Sequence, residues 1–306
     1  MLTNYVELTF DELAKLDRKS TVFMMSVSPI EVHGHHLPVG TDVFIAEKIL
    51  EQYAKDLSKK HPELTIIKLP PLYLGSDALP LPGSLSVEAK YLQGVLLNYG
   101  KGLSQQGFRY LFLADNHGGP RHQMAIEKAS RRLWRSYHFY LVDPFNSDFY
   151  KMVQHDPDFL KKAGLKPQVC GDDPDSHAGT NETSLMLTLE PDCVKEDYQK
   201  EAASMPPKIT GFARATQKTA VLLDKIGFKE AGNDLLHLAN TLAWINSANM
   251  KPYMGDPKKA SKEAGQGMLK ARLDNAIELF EQALQGKTIK VRPLLWSLRF
   301  LSHLPE

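Results

Sequence analysis

Two hydrophobic patterns alternate along the first half of the chain. Short apolar runs rich in β-branched and aromatic residues give way to longer stretches with apolar residues every third or fourth position. "STVFMMSVSPIE" reads as a buried strand that delivers Glu31 to a sheet edge. "DVFIAEKILEQYAKDLSKKHP" follows as a helix from Val43 to Leu57, closed by lysines and Pro62. "LTIIKLPPLYLG" is a second strand. The spacing then predicts a long helix entered near Ser86 and closed around Gly107. "RYLFLADNHGGP" is a third strand that stops at polar residues, "RHQMAIEKASRRLW" a helix and "YHFYLVDPF" a fourth strand.

After Asn146 the pattern turns helical. "ETSLMLTLEP", "DLLHLANTLAWINSANM" and "KASKEAGQGMLKARLDNAIELFEQALQ" are the candidate helices. Strands alternating with helices of this length predict an α/β fold, a mostly parallel sheet covered on both faces. With no repeat, low-complexity tract or linker, residues 1–306 read as a single domain, its C-terminal helices forming an extension packed on the sheet.

Charge removes several function classes. The 37 basic and 36 acidic residues are interleaved, leaving a net charge of +1 and no stripe for nucleic acid or anionic lipid. Cys170 and Cys193 are too few for a disulfide framework, which fits a reducing compartment. There is no signal-like start and no run of eighteen apolar residues, so the expectation is a cytoplasmic protein that acts on a small molecule and engages neither membrane nor nucleic acid.

The polar residues at the strand ends change this picture most. "SPIEVHGHHLPVGTD" carries Glu31, His33, His35, His36 and Asp42, and "ADNHGGP" carries Asp115, Asn116 and His117. Open α/β sheets bind ligands beyond the carboxyl ends of their strands, so the two clusters are placed to meet. Glu31 and His33, two apart on an extended segment, project to the same side. Asp42 reads either as a helix N-cap or as a ligand. "SHAGTNETS" presents His177, and then Glu182 at a helix start, where the helix dipole favours an acid. Imidazole and carboxylate together suit zinc or manganese, and a bridging carboxylate can hold two ions about 3.5–4 Å apart. The physical reading is a metal-dependent hydrolase with one or two divalent ions, in which His177 moves the proton. His35, His36, His122 and Cys170 read as structural or solvated, though His35 and His36 would shape the pocket. His61, His138, His155, His237 and His303 read as bystanders.

The blocks "EVHGHHLPVGTD", "PGSLS", "NHGG" and "HAGTNETSLML", in this order, resemble the creatininase (creatinine amidohydrolase) family from about Ser28 to Pro191 and, weakly, near Met254. The resemblance implies a three-layer α/β/α domain, a hexameric assembly and two divalent ions, zinc or manganese with iron as a further option. It also implies hydrolysis of a C–N bond in a small cyclic amide, lactam or formamide. Carried over, Glu31 and His117 look like ligands of one ion and His33 of the other, with Asp42 bridging. His177 resembles the proton-transfer histidine. Glu182 resembles the last ligand of the second ion or a catalytic partner beside it.

Departures bear on the substrate. Creatinine-hydrolysing members carry a tyrosine and a metal-binding glutamate where this chain has Gly118 and Gly119, which leaves Glu182 to complete the second site. Pro120 replaces the asparagine that closes the family's "HGGN" block. Trp134, Trp244 and Trp296 fall in helical segments away from the matching blocks, so no tryptophan is expected around the substrate. Asp172, Asp173 and Asp175 either select a cationic substrate or sit on a solvated loop. Leu294, Leu295, Trp296, Leu298, Phe300 and Leu301 either dock on a neighbouring subunit or pack on their own chain. Two other readings stay open: a two-metal hydrolase of another bond, either a phosphoester or the C–C or C–O bond of a cyclic ketone, and a binding protein on the same scaffold.

Overall fold

The computed structural model describes residues 2–153, 157–165, 175–204, 208–297 and 299. Five strands, β1 Leu2–Asn4, β2 Thr21–Ser26, β3 Thr65–Lys68, β4 Tyr110–Ala114 and β5 Tyr140–Val142, form one sheet in the order β1-β3-β2-β4-β5. Every pairing is parallel. Strand β2 lies at the centre with all six residues buried, which is why its sequence is apolar throughout rather than alternating.

Alternation reappears in where the side chains go. Val22 and Met24 join Ile66, Phe112 and Val142 on one face, against Ile45 and Ile49 of α2 (Thr41–Lys60) and Ile277 and Phe280 of α10 (Lys262–Leu284). Phe23 and Met25 join Ile67, Leu111 and Leu113 on the other, against Leu92 and Leu96 of α3 (Ala89–Gln105) and Ala129 and Leu133 of α4 (Pro120–Tyr137). The architecture is a three-layer α/β/α sandwich. The Phe280 ring stacks on Phe112 at 4.1 Å and meets Tyr53 edge-on, so truncating it to alanine costs about 3–5 kcal/mol.

The remaining helices are α1 Phe10–Lys15, α5 Phe145–Val153, α6 Pro157–Ala163, α7 Thr180–Leu189, α8 Gly211–Lys225 and α9 Lys229–Ile245. Several boundaries differ from expectation. Helix α3 starts at Ala89 rather than near Ser86, because the amides of Leu85 and Val87 are bonded across to the carbonyls of Ile30 and Gly75, which holds this stretch extended. Helix α9 starts at Lys229, five residues before Asp234. Strand β1 and helices α1, α5, α6 and α8 were not foreseen.

Helices α8 and α9 form a hairpin whose two arms pack chiefly on each other. Segment 292–297 then crosses α9. Buried Asp234 accepts the amides of Leu295 and Ser297 and the Ser297 hydroxyl, and Arg292 pairs with Asp234 and Glu230. Leu294 and Leu295 are buried in this chain and Trp296 lies against the Arg131 guanidinium, so these three pack on their own chain rather than wait for a neighbour. Leu298, Phe300 and Leu301 lie outside the described residues. No helix is long and apolar enough to cross a membrane among the described residues.

Candidate metal centre

Strands β2 and β4 are neighbours, with Ser26 opposite Ala114, so the chains leaving their ends run side by side. That adjacency brings Glu31 and His33 together with His117. Asp42 comes from the first turn of α2; the N-cap is Gly40, and Asp42 is therefore no cap. His177 is held by a two-way backbone bridge to Met254, and Glu182 stands in the first turn of α7. Gly179 and Gly255 lie back to back there; a Cβ on Gly179 would meet the Gly255 Cα at 2.9 Å, so the bridge requires glycine.

All six candidate residues converge. His117 Nδ1 lies 3.0 Å from Glu31 Oε2 and 3.3 Å from Asp42 Oδ2. His33 Nε2 lies 3.4 Å from Asp42 Oδ1 and 3.6 Å from Glu182 Oε2. The two oxygens of Asp42 thus face two different trios, Glu31–Asp42–His117 and His33–Asp42–Glu182, each able to hold a metal ion. His177 Nδ1 stands 4.0 Å from Glu31 Oε2, in a third group with Glu31 and His33.

The atoms turned away from the centre are tied down. His33 Nδ1 bonds the Glu31 carbonyl, His117 Nε2 the Ser76 carbonyl and His177 Nε2 the Val32 carbonyl, at 2.7–2.9 Å. A carbonyl only accepts, so each outer nitrogen carries hydrogen and each inner one is left to face a cation. Glu31 Oε1 accepts the Leu79 amide; Glu182 Oε1 accepts the Asn116 side-chain amide, while its Oε2, the oxygen on the His33 side, also accepts the Ala178 amide. Glu31 Oε2, His33 Nε2 and Asp42 Oδ2 are buried without a hydrogen-bond partner, the expected state of atoms that face a metal ion. The donor set is nitrogen and carboxylate oxygen, which suits zinc and manganese.

Electrostatics agree with this fit. Burial alone would raise Asp42 and Glu31, yet the imidazoles beside them hold Glu31 below the ordinary carboxylate range and Asp42 well below it. Burial alone would lower His33 and His117, yet Asp42 with Glu182, and Glu31 with Asp42, raise them well above an ordinary histidine. Three carboxylates in one dry recess demand positive charge, and a divalent ion meets that demand by displacing the imidazole protons.

Two residues behind the centre organise it. Asn116 Nδ2 donates to both Asp42 Oδ1 and Glu182 Oε1, each at 2.9 Å. Its orientation is set by Arg272 of α10, a fully buried guanidinium that donates to Asn116 Oδ1 and to the Asp115 carbonyl, both at 2.7 Å. Asp115 accepts the Ser28 hydroxyl, the amides of Asn116 and His117, and the side chains of His122 and Gln123. Arg272 escaped the sequence reading; its only signal was a basic residue at a buried helical position.

Other expectations need correction. His36 is buried against the Thr183 hydroxyl and His35 is exposed, and neither lines the cavity beside the centre. That cavity has a volume of about 690 Å³, and both Trp244 and His237 line it. Trp244, expected to be remote, lies 5.7 Å from the His177 ring, because the Met254 bridge folds the region after α9 back onto His177. Asp175 accepts the Asn181 amide and supports the turn before α7. Cys170, Asp172, Asp173, His155 and His303 lie outside the described residues. Gly118 and Gly119 are closely enclosed. A Cβ on Gly118 would meet the Phe149 ring at 2.4 Å, and one on Gly119 would meet His117 Nε2 at 2.4 Å.

Comparison with known proteins identifies the family. The creatinine amidohydrolase from Pseudomonas putida is 27% identical over 216 residues, 66% of this chain and 78% of that protein. The mycofactocin precursor peptide peptidase from Mycolicibacterium smegmatis is 26% identical over 209 residues, 66% and 73% of the two chains. A crystal structure of creatinine amidohydrolase (creatininase) superimposes with a TM-score of 0.62 at 22% identity, covering 92% of this chain and 98% of the other. The family model for creatininase, creatinine amidohydrolase, matches residues 6–280, and the chain belongs to the creatininase family.

Proposed function

We propose that this hydrolase opens a C–N amide bond, with two divalent ions, zinc or manganese, held by the trios that share Asp42. The observation that carries the reading is the split of the Asp42 carboxylate, one oxygen toward Glu31 and His117 and the other toward His33 and Glu182. Related creatininase structures are described as manganese and zinc–zinc forms, and the two named relatives are an amidohydrolase and a peptide peptidase, both names for amide cleavage.

Divalent ions in such a centre supply Lewis acidity, which brings the pKa of a water molecule to about 7 and polarises a carbonyl. The chain's own groups supply the remainder. Asn116, fixed by Arg272, keeps the Asp42 and Glu182 carboxylates aligned. His177, anchored through Nε2 to the Val32 carbonyl, turns Nδ1 toward the centre, where it takes up a proton and returns it to the leaving nitrogen. Trp244, its indole N–H bonded to the Lys251 carbonyl, shields that proton transfer from water. Creatinine is not the expected substrate, since Gly118 and Gly119 replace the residues its hydrolases carry.

Elemental analysis of protein purified without chelator, beside His117→Ala, tests the reading. Near two ions per chain, falling in the variant, supports it; no stoichiometric metal after zinc and manganese are added back moves a binding role to first place. His177→Ala keeps its metal and loses turnover by about 10²–10⁴-fold.

A further inference from the structure

The cavity continues well beyond the ligand cluster, along one side of α9. His237, Thr241 and Trp244 are spaced i, i+4 and i+7, which puts them in one row on that helix, and Leu238, Leu242 and Ile245 form a second row one residue on. All six line the cavity. Trp244 is the end beside His177. His237 is two turns away, about 10 Å at 1.5 Å per residue. Met124, Phe145, Phe149 and Leu295 add further apolar lining, and the charged side chains outside the ligand cluster include Asp77 and Arg121, which pair with each other, and Asp175, which accepts the Asn181 amide.

Resting on the hydrolase reading above, we infer that the substrate carries an extended, uncharged apolar arm on its amide, seated along α9 from Trp244 and ending in one hydrogen-bonding group at His237 and Thr241. Three observations carry this. A cavity of 690 Å³ lies in the range that receives a drug-sized ligand, roughly 300–1,000 Å³. Filled with water instead it would hold about twenty molecules at ~30 Å³ each, most of them against side chains that cannot bond to them. The two rows on α9 contain no charged residue, and burial pushes His237 down to about 4, so it meets the arm as a neutral imidazole.

The test separates the arm from the chemistry by using hydroxamates, whose head group chelates metal ions. Zinc-loaded protein is titrated calorimetrically with acetohydroxamate and with 4-phenylbutyryl and 6-phenylhexanoyl hydroxamates. The arm is expected to improve affinity at least 100-fold over acetohydroxamate, and Leu242→Asp and Thr241→Trp each to cut that ratio at least tenfold. Acetohydroxamate binding with no gain from either arm, or a gain that both variants leave intact, overturns the inference and leaves the hydrolase standing. If no hydroxamate binds the metal-loaded protein, the hydrolase reading fails and the inference fails with it.

Discussion

The ligand cluster and α9, one arm of the α8–α9 hairpin, line the same cavity, but cluster and hairpin are held in opposite ways. At the cluster, each outward-facing histidine nitrogen ends on a carbonyl, and Asp115 alone accepts five hydrogen bonds. Along the hairpin, α8 and α9 pack chiefly on each other, and Leu222, Ile226 and Phe228 near its tip are more than half exposed. Chemistry needs ligands fixed to a fraction of an ångström, so it sits on sheet ends inside a bonded shell. Fitting a substrate arm needs only apolar surface of the right length, which one face of α9 supplies.

If the cluster is one bonded unit, Asp42→Ala has the largest effect, because it removes a ligand from both trios at once. Metal content should fall from about two ions to none, and retention of two would break the bridging assignment. Arg272→Met comes next. It frees the Asn116 amide and strips a donor from two buried acceptors, costing about 2–4 kcal/mol in denaturant unfolding. It should also lower metal affinity about 10–100-fold, as loss of a group that orients ligands does. Normal affinity with lowered stability would make Arg272 a purely structural residue.

The hairpin side of the contrast is sharpened by pH. His237 in the folded chain lies near 4, below its unfolded value of about 6.5. The unfolded state therefore binds the proton first, and the stability from neutral His237 is complete above 6.5 and lost as pH falls toward 4. His36, also lowered to about 4 by burial, adds a parallel slope. His237→Leu should remove its share of the loss, about 1–3 kcal/mol between unfolding curves at pH 7 and pH 4.5. An unchanged slope would mean that His237 is solvated. Phe228→Ser at the exposed tip is the smallest change, within about 0.5 kcal/mol and with metal content intact; a larger drop would show the hairpin to be coupled to the core.

The same contrast governs what the sequence discloses. Strand β2 is buried on both faces, so it reads as an unbroken apolar run. The ligands stand at strand ends and first turns, where polar residues beside glycine and proline are conspicuous. Helix α8 hid because its buried positions, Ala213, Thr216 and Ala220, are small, while larger apolar residues such as Leu222 face outward, blurring the period. Arg272 and Trp244 hid for another reason. Each acts on a partner distant in sequence, Asn116 and His177, and no local pattern encodes such a pairing. Strand β1, with three residues, is too short to show a period at all.

Segment 292–297 lies beyond the stretch matched by the family model, yet Leu295, held at a φ of +60° by bonds to Asp234, forms part of the cavity wall. Divergence among relatives can therefore proceed in two compartments. Residues 292–297 and the face of α9 can drift toward new substrates by single substitutions, with no change to a metal ligand. A lineage could acquire a new specificity while its catalytic sequence stayed fixed, and annotation transferred from the ligand motifs alone would miss the change.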